Sequence, residues 1–395
     1  MDKPFKAIKV SDNVFWVGAI DWNIRNFHGY STGRGSTYNA YLVMGDKVVL
    51  IDTVKAPFEG EMMARIASLI DPKRIDYIVS NHSEMDHTGC LRNTIRAVEP
   101  EKVFASAMGA KAIYEHFGMK DIQAVADGES LDLGNMKLTF LETRMLHWPD
   151  SMVTYLDADK ILFSQDGFGM HLAGGGRFAD EIDEGILRNE AARYFANILL
   201  PFAPLVTKLL ARIENLGIEI SIIAPDHGPI YRENVGWITD LWGGFAEQKP
   251  TKKAVVLYDT VWGSTDRMAR SIADGLIEGG ASVELRRITA SHRSDVATDI
   301  LEAGALIVGS PTLNNNIFPP LADAMIYLKG LKPKNLIGAA FGSYGWSGEA
   351  VGHLEKMLEE MKVELVHEGI KIKYVPTDSD LSRCREMGIA IAEKL

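Results

Sequence analysis

From residue 251 onward the sequence alternates, five times over, an apolar run of strand length with a stretch of helical period. "AVVLYDT" is followed by a helix over 265–279, "SVELRRI" by one over 294–303 and "ALIVGSP" by one over 319–329. "LIGAAFGS" leads into 347–361, and "KIKYVP" into 378–394. Strands that alternate with helices in this way predict an α/β unit built on an open, doubly wound parallel sheet. In such a sheet the loops after strands one, three and four meet at one edge.

The first half reads differently. Eight short strand signals, "NVFWVG", "NAYLVMG", "KVVLIDT", "YIVSN", "KVFAS", "KLTFLET", "ILFSQD" and "ISIIAPD", are mostly closed by Gly, Asp or Asn. Helical periods fall at 58–70, 89–98, 109–117 and about 184–215. These point to sheets flanked by helices. The polar stretch "FAEQKPTKKAVVLYDT", 245–260, is the seam, so the expected domains are 1–250 and 251–395.

Chemistry concentrates in "NHSEMDHTG", 81–89, where His82, Glu84, Asp86 and His87 crowd six positions after the strand "YIVSN". Residues at i, i+2 and i+4 of an extended segment point the same way, so the first three can converge. His147 in "MLHWPDS", Asp166 in "LFSQDGFG" and His227 in "APDHGP" also sit just past strands. A lone His or Asp there is ordinarily a cap or turn residue; seven such groups are a metal constellation. The run resembles the H-x-H-x-D-H motif of the metallo-β-lactamase superfamily, which typically holds zinc, with Glu84 in place of the middle His. A hard oxygen donor and an added negative charge shift preference from zinc toward iron or manganese. Seven ligands suit two metals better than one, and Asp166, with two oxygens, is the natural bridge.

In the second half "DTVWGSTDRMA", 259–269, lies between a strand and a helix. Its tight loop, which includes Gly263, offers backbone N–H groups, the hydroxyls of Thr260, Ser264 and Thr265, and a helix N-terminus, which together make a phosphate cradle. The spacing matches neither G-x-x-x-x-G-K-[ST] nor G-x-G-x-x-G, so NTPase and NAD readings are disfavoured. Trp262 would cover a ring rather than a phosphate. "GSPTLNNNIFPP" brings Pro311, Thr312, Leu313 and Asn314 to the same edge; "GSYGWSGEA" brings Ser343, Tyr344, Gly345, Trp346 and Gly348. A planar flavin between aromatic faces fits this set.

"STYNAYL" at 36–42, "HWPDSM", "YFANILLPFAP" at 194–204 and "GSYGWSGE" carry a wider resemblance. Over nearly its whole length the chain resembles the flavodiiron proteins, most of all their rubredoxin:oxygen oxidoreductase branch. That resemblance implies a metallo-β-lactamase-like αββα sandwich followed by a flavodoxin-like domain. It implies two non-haem irons, one held by His82, Glu84, His147 and Asp166, the other by Asp86, His87, Asp166 and His227; ligation by His87 is the variable one. It also implies FMN, a head-to-tail homodimer, and a second shell containing His28 and Tyr194. Tyr194 either donates a proton or simply packs its ring. The implied activity is reduction of dioxygen to water, the alternative nitric oxide to nitrous oxide, with rubredoxin or a similar small protein as electron donor. A zinc-dependent hydrolase with a flavodoxin appended and a plain electron-carrier flavoprotein are the rivals; Glu84 speaks against the first and the complete ligand set against the second.

Composition bounds the rest. A formal net charge of −11 argues against nucleic-acid or anionic-membrane partners. Two cysteines far apart, Cys90 and Cys384, exclude a disulfide framework and a rubredoxin centre within this chain. The charged N-terminal stretch is unlike a signal peptide, and no apolar window of membrane length is expected, so the expected location is cytoplasmic. Lys329, Lys332 and Lys334 form either a donor-docking patch or a solvated helix end.

Overall fold

The computed structural model describes residues 5–395. A seven-stranded sheet runs in chain order: β1 (Ile8–Lys9), β2 (Val14–Trp16), β3 (Tyr41–Met44), β4 (Val48–Ile51), β5 (Tyr77–Ser80), β6 (Lys102–Ser106) and β7 (Ile122–Val125). It is antiparallel as far as β4 and parallel from β4 to β7. The second sheet, β8 (Ser130–Asp132), β9 (Lys137–Glu142), β10 (Met152–Leu156), β11 (Ile161–Gln165) and β12 (Ile222–Pro225), is also in chain order; only its last pair is parallel. All eight strand signals of the first half are strands, and β1, β7, β8 and β10 are strands the sequence reading did not single out.

The pleat sorts these strands into two cores. Tyr41, Val43, Val49, Ile51 and Val79 face the second sheet, where they meet Leu138, Phe140, Met152, Ile161 and Phe163. Alternate residues Leu42, Val48, Leu50 and Ile78 face outward onto Met62 and Ile66 of helix α1 (Glu59–Ile66) and onto Leu91 and Val98. The helices named here are α2 (Met85–Thr88), α3 (Leu91–Val98), α4 (Ala107–Phe117), α5 (Glu184–Tyr194), α6 (Ala203–Leu216) and α7 (Val235–Glu247). The long helix expected over 184–215 is interrupted by a π turn at Phe195–Leu199 and a 3₁₀ turn containing Pro201. The continuous segment Glu184–Leu216 is long and apolar enough to cross a membrane by length and composition alone, contrary to expectation. Half of its most apolar window is buried inside the protein.

The other sheet has the order β14–β13–β15–β16, with β17 and β18 both beside β16, and every pairing is parallel. Its strands are β13 (Lys253–Tyr258), β14 (Ser282–Arg287), β15 (Ala305–Gly309), β16 (Ile337–Tyr344), β17 (Glu364–Leu365) and β18 (Ile370–Lys373). Helices α8 (Ser264–Glu278), α9 (Arg293–Ile300), α10 (Pro319–Leu331), α11 (Glu349–Glu360) and α12 (Asp378–Ala392) follow the strands in the expected alternation. The strand order reverses beside β13, which puts the switch point at the loops after β13, β15 and β16.

Contacts divide the chain into two units, and the division is not a single cut at 250. One unit holds the segment ending at Phe27, Thr32–Tyr194 and Pro204–Gly243; the other holds His28–Ser31, Phe195–Ala203 and Gly244–Leu395. The two short excursions belong with the second unit because they bond into it. Ser31 N–H donates to the Ser294 hydroxyl (3.2 Å), Asn197 Nδ2 donates to the Ser294 carbonyl (3.3 Å), and the Tyr327 hydroxyl donates to Asn197 Oδ1 (2.7 Å).

Candidate metal centre and flavin cradle

Each of the seven expected metal ligands leaves the first unit's sheets at or beyond a strand end. β5 delivers His82 and Glu84, and the one-turn helix α2 then carries Asp86 and His87 inward. β11 leads to Asp166, β12 to His227, and His147 lies on the loop between β9 and β10. His82, Glu84, His147 and Asp166 can each offer one atom to a common point, and Asp86, His87 and His227 form a second such group. Asp166 joins them. Its Oδ2 lies 3.1 Å from His147 Nε2 and 3.4 Å from His82 Nε2, while its Oδ1 lies 3.2 Å from His87 Nε2 and 3.4 Å from His227 Nε2. One carboxylate therefore turns one oxygen to each group, which is the geometry of a bridging ligand.

Behind these atoms stands a layer that orients the rings. His227 Nδ1 donates to the Thr37 carbonyl (2.6 Å), which leaves Nε2 its lone pair. His82 Nδ1 faces Asp150 Oδ1 at 3.4 Å, and His87 Nδ1 faces Asp226 Oδ2 at 3.5 Å. Asp150 is itself fixed by the Ser83 amide (2.6 Å), and Asp52 accepts from both the backbone and the side-chain amide of Asn81. Three of the four rings thus point Nε2 inward and Nδ1 at an acceptor, as metal-bound histidines do. The sequence reading missed Asp52, Asp150 and Asp226. It also missed His171, whose Nδ1 lies 2.7 Å from the Ser36 hydroxyl and whose ring centroid is 4.5 Å from that of His227.

The electrostatics ask for cations. Burial opposes the imidazolium of His82, but Asp150, Glu84 and Asp166 outweigh it and raise its pKa to about 10. His87 is driven up against the same penalty by Asp86, Asp166 and Asp226. Burial alone would raise Asp166, yet the histidines around it hold its carboxyl well below the usual range. So much buried negative charge must be met by protons or by metal ions. Geometry suits ions. Asp86 Oδ2 lies 3.1 Å from His227 Nε2, and Asp86, His87 and His227 can each offer one atom to a common point.

Tyr194 is buried, with its ring centroid 5.1 Å from His171 and 6.3 Å from His227. His28 behaves otherwise than expected. It is exposed, at a turn with φ 49°, and groups with the second unit, where Arg293 bonds the neighbouring Gly29 carbonyl. From that hairpin it is Phe27 that packs on the site, 4.6 Å from His171 and 6.0 Å from His227. The Trp148 ring stands edge-on to His82 at 5.2 Å, a packing contact.

In the second unit the loop after β13 turns at Gly263, φ 86°, and opens α8 with no side-chain cap. Its first amides are therefore left for a ligand. Thr260 stiffens the loop by accepting from Gly263 N–H (3.0 Å), and the Thr265 and Ser343 hydroxyls are paired at 2.9 Å. The loop after β15 forms the hairpin Thr312–Leu313/Asn316–Ile317, whose turn residues Asn314 and Asn315 both have positive φ. With Gly345, Trp346 and Ser347 after β16 it lines a concavity. Pro311 is buried beneath, and the Tyr344 ring packs where Gly348 leaves room. Trp262 and Trp346 are 93% and 86% exposed, an arrangement that wastes two large apolar rings unless something planar covers them.

Known proteins share these features in the same order. A family model described as "ODP family beta lactamase" matches residues 37–228, and the flavodoxin model matches 256–388. A rubredoxin-oxygen oxidoreductase of Megalodesulfovibrio gigas is 46% identical, covering 99% of this chain and 98% of its own. A nitric oxide reductase of Moorella thermoacetica is 44% identical, covering 99% of both. The solved flavodiiron protein from Giardia intestinalis superposes with a TM-score of 0.96 at 34% identity, covering 100% of this chain and 98% of that one. The chain belongs to the flavodiiron protein family. It is accordingly an oxidoreductase with a metallo-β-lactamase-like domain followed by a flavodoxin domain, and its cofactors are FMN and a non-haem diiron centre. The residues present suit both: a bridging carboxylate with two flanking donor groups for the irons, and uncapped amides beside exposed indoles for the flavin.

Proposed function

We propose that this flavodiiron protein reduces dioxygen to water, with electrons that enter through FMN from rubredoxin or a similar small donor. The observation that carries the reading is Asp166, whose two oxygens face two separate donor groups. Bound there, a pair of redox-active irons supplies two electrons and a reduced flavin two more, enough for the four-electron step without release of peroxide. His82, Glu84 and His147 would hold one ion, and Asp86, His87 and His227 the other. Asp150, Asp226 and the Thr37 carbonyl keep the rings aimed. Phe27, His171 and Tyr194 wall the centre; the Tyr194 hydroxyl and the His171 imidazole are the groups among them able to hand on a proton. Nitric oxide reduction is the second reading, favoured by the similarity to the Moorella thermoacetica nitric oxide reductase.

The proposal includes a head-to-tail homodimer. Exposed Trp262 and Trp346 beside the cradle support it, since rings so bare call for a covering surface. A cytoplasmic location is supported by two cysteines that are both free and buried. The deciding experiment counts iron and FMN per chain and then compares turnover with dioxygen and with nitric oxide, using chemically reduced rubredoxin. Faster dioxygen turnover supports the first reading; faster nitric oxide turnover selects the second; zinc alone, with hydrolytic turnover, defeats both.

A further inference from the structure

At the other end of the first sheet lies a feature that the iron chemistry leaves unused. A cavity of about 420 Å³ is lined by Arg92, Ile95 and Arg96 of α3, Val103 at the start of β6, Met119, Lys120 and Ile122 at the start of β7, with Gly118 and Asp121 at its mouth. β5, β6 and β7 are parallel, so the starts of β6 and β7 lie at the end opposite to the one where β5 delivers the metal ligands. The site is therefore separate from the diiron centre within the same unit.

Its lining is unusual in two respects. The floor is apolar, from Ile95, Val103, Met119 and Ile122. The rim is cationic, and among the described residues none of Arg92, Arg96 and Lys120 has an acidic partner within ion-pair distance. Several other arginines of this unit are matched, Arg65 with Glu61, Arg144 with Glu142, Arg212 with Asp127 and Arg232 with Asp180, whereas here two arginines and a lysine without such partners line one concavity. In a chain with 53 acidic against 42 basic residues, unmatched cations gathered at one concavity run against the composition. Arg92 and Arg96, four apart on α3, also carry like charge on neighbouring turns of one helix, which an anion between them would relieve. Asp121 cancels only one of the three positive charges.

We propose that this cavity binds a small organic dianion: a doubly negative head group, phosphate or dicarboxylate, held by Arg92, Arg96 and Lys120, with a compact apolar body on the Ile95–Val103–Met119–Ile122 floor. Guanidinium forks suit planar or tetrahedral oxyanions, and the volume lies in the range of small-molecule sites. The inference is independent of which gas is reduced at the irons.

The test is isothermal titration of the iron- and FMN-loaded protein with phenyl phosphate, phthalate, inorganic phosphate and benzyl alcohol. Saturable binding of phenyl phosphate or phthalate is expected at one per chain, weakened by salt, with inorganic phosphate weaker by about tenfold or more for want of apolar contact. Benzyl alcohol should not bind measurably. Whichever of the two dianions binds tighter identifies the head group. Arg92→Glu with Arg96→Glu should weaken binding by about tenfold or more, while Lys208→Glu, on α6, leaves it unchanged. Should the double variant lose iron or FMN, Lys120→Glu serves in its place. Absence of saturable binding, equal binding of inorganic phosphate, or full binding by the charge-reversed variant would overturn the proposal.

Discussion

Asp166 shows how much one side chain can be asked to do. Both donor groups share it, so Asp166→Ala should empty both metal positions together and leave FMN in place. Iron and flavin counted on the same sample check this; a variant keeping one iron per chain would contradict the bridge. The pH response carries a second prediction. In metal-free protein His82 has its pKa raised from 6.5 to about 10, so its protonation stabilises the fold fully below about 6.5, and that contribution is lost as pH rises through about 10. The melting temperature of metal-free protein should therefore fall between pH 7 and 10. In loaded protein the ions take the place of those protons, so that fall should disappear; instead iron should be released as the pH is lowered and protons compete for the ligands. The two donor groups were legible in the sequence because "HSEMDH" is too dense to be turns. Asp52, Asp150 and Asp226 were not, because a single carboxylate after a strand looks like any turn residue until the fold sets a ring beside it. His28 failed for the converse reason: nothing in "NFHGY" says which of two adjacent rings, Phe27 or His28, faces inward.

At the scale of elements, the alternation in the second half predicted every strand–helix pair, because a doubly wound sheet repeats one local pattern. The break in the helix over 184–215 was less legible. Pro201 hints at it, but the π turn at Phe195–Leu199 answers to contacts with Ser294 and Tyr327, residues about a hundred positions away. Helices α8 and α12 depend on small residues for their approach. A Cβ on Gly388 would lie 2.2 Å from the Ile272 carbonyl oxygen, and one on Gly275 would lie 2.0 Å from that of Arg385. Both obstacles are backbone and cannot swing aside. Gly388→Ala should cost about 1–3 kcal/mol, read by denaturant unfolding as a lower midpoint with an unchanged slope. A neutral or stabilising result would show that the helices can part without loss.

At the scale of the molecule, two modules with different chemistry were readable as such, while the boundary was not. The seam at 250 was placed on polar composition, but Phe195–Ala203 and His28–Ser31 belong with the second unit through long-range hydrogen bonds that no local pattern announces. The lysine patch also changes character, since Lys329 is tied to Glu360 at 2.7 Å, leaving less free charge for a donor than "YLKGLKPKN" promised. If a second copy covers the flavin edge, Trp346→Ala should shift the protein toward monomer in light scattering, and an unchanged dimer would place the interface elsewhere. The claim on which the rest depends is that electrons from a protein donor leave on dioxygen in fours. Simultaneous measurement of reduced rubredoxin oxidised, dioxygen consumed and hydrogen peroxide released by iron-loaded protein tests it most directly. Four electrons per dioxygen with no peroxide is the expected result; two electrons with stoichiometric peroxide would show bare flavin oxidation and contradict the account.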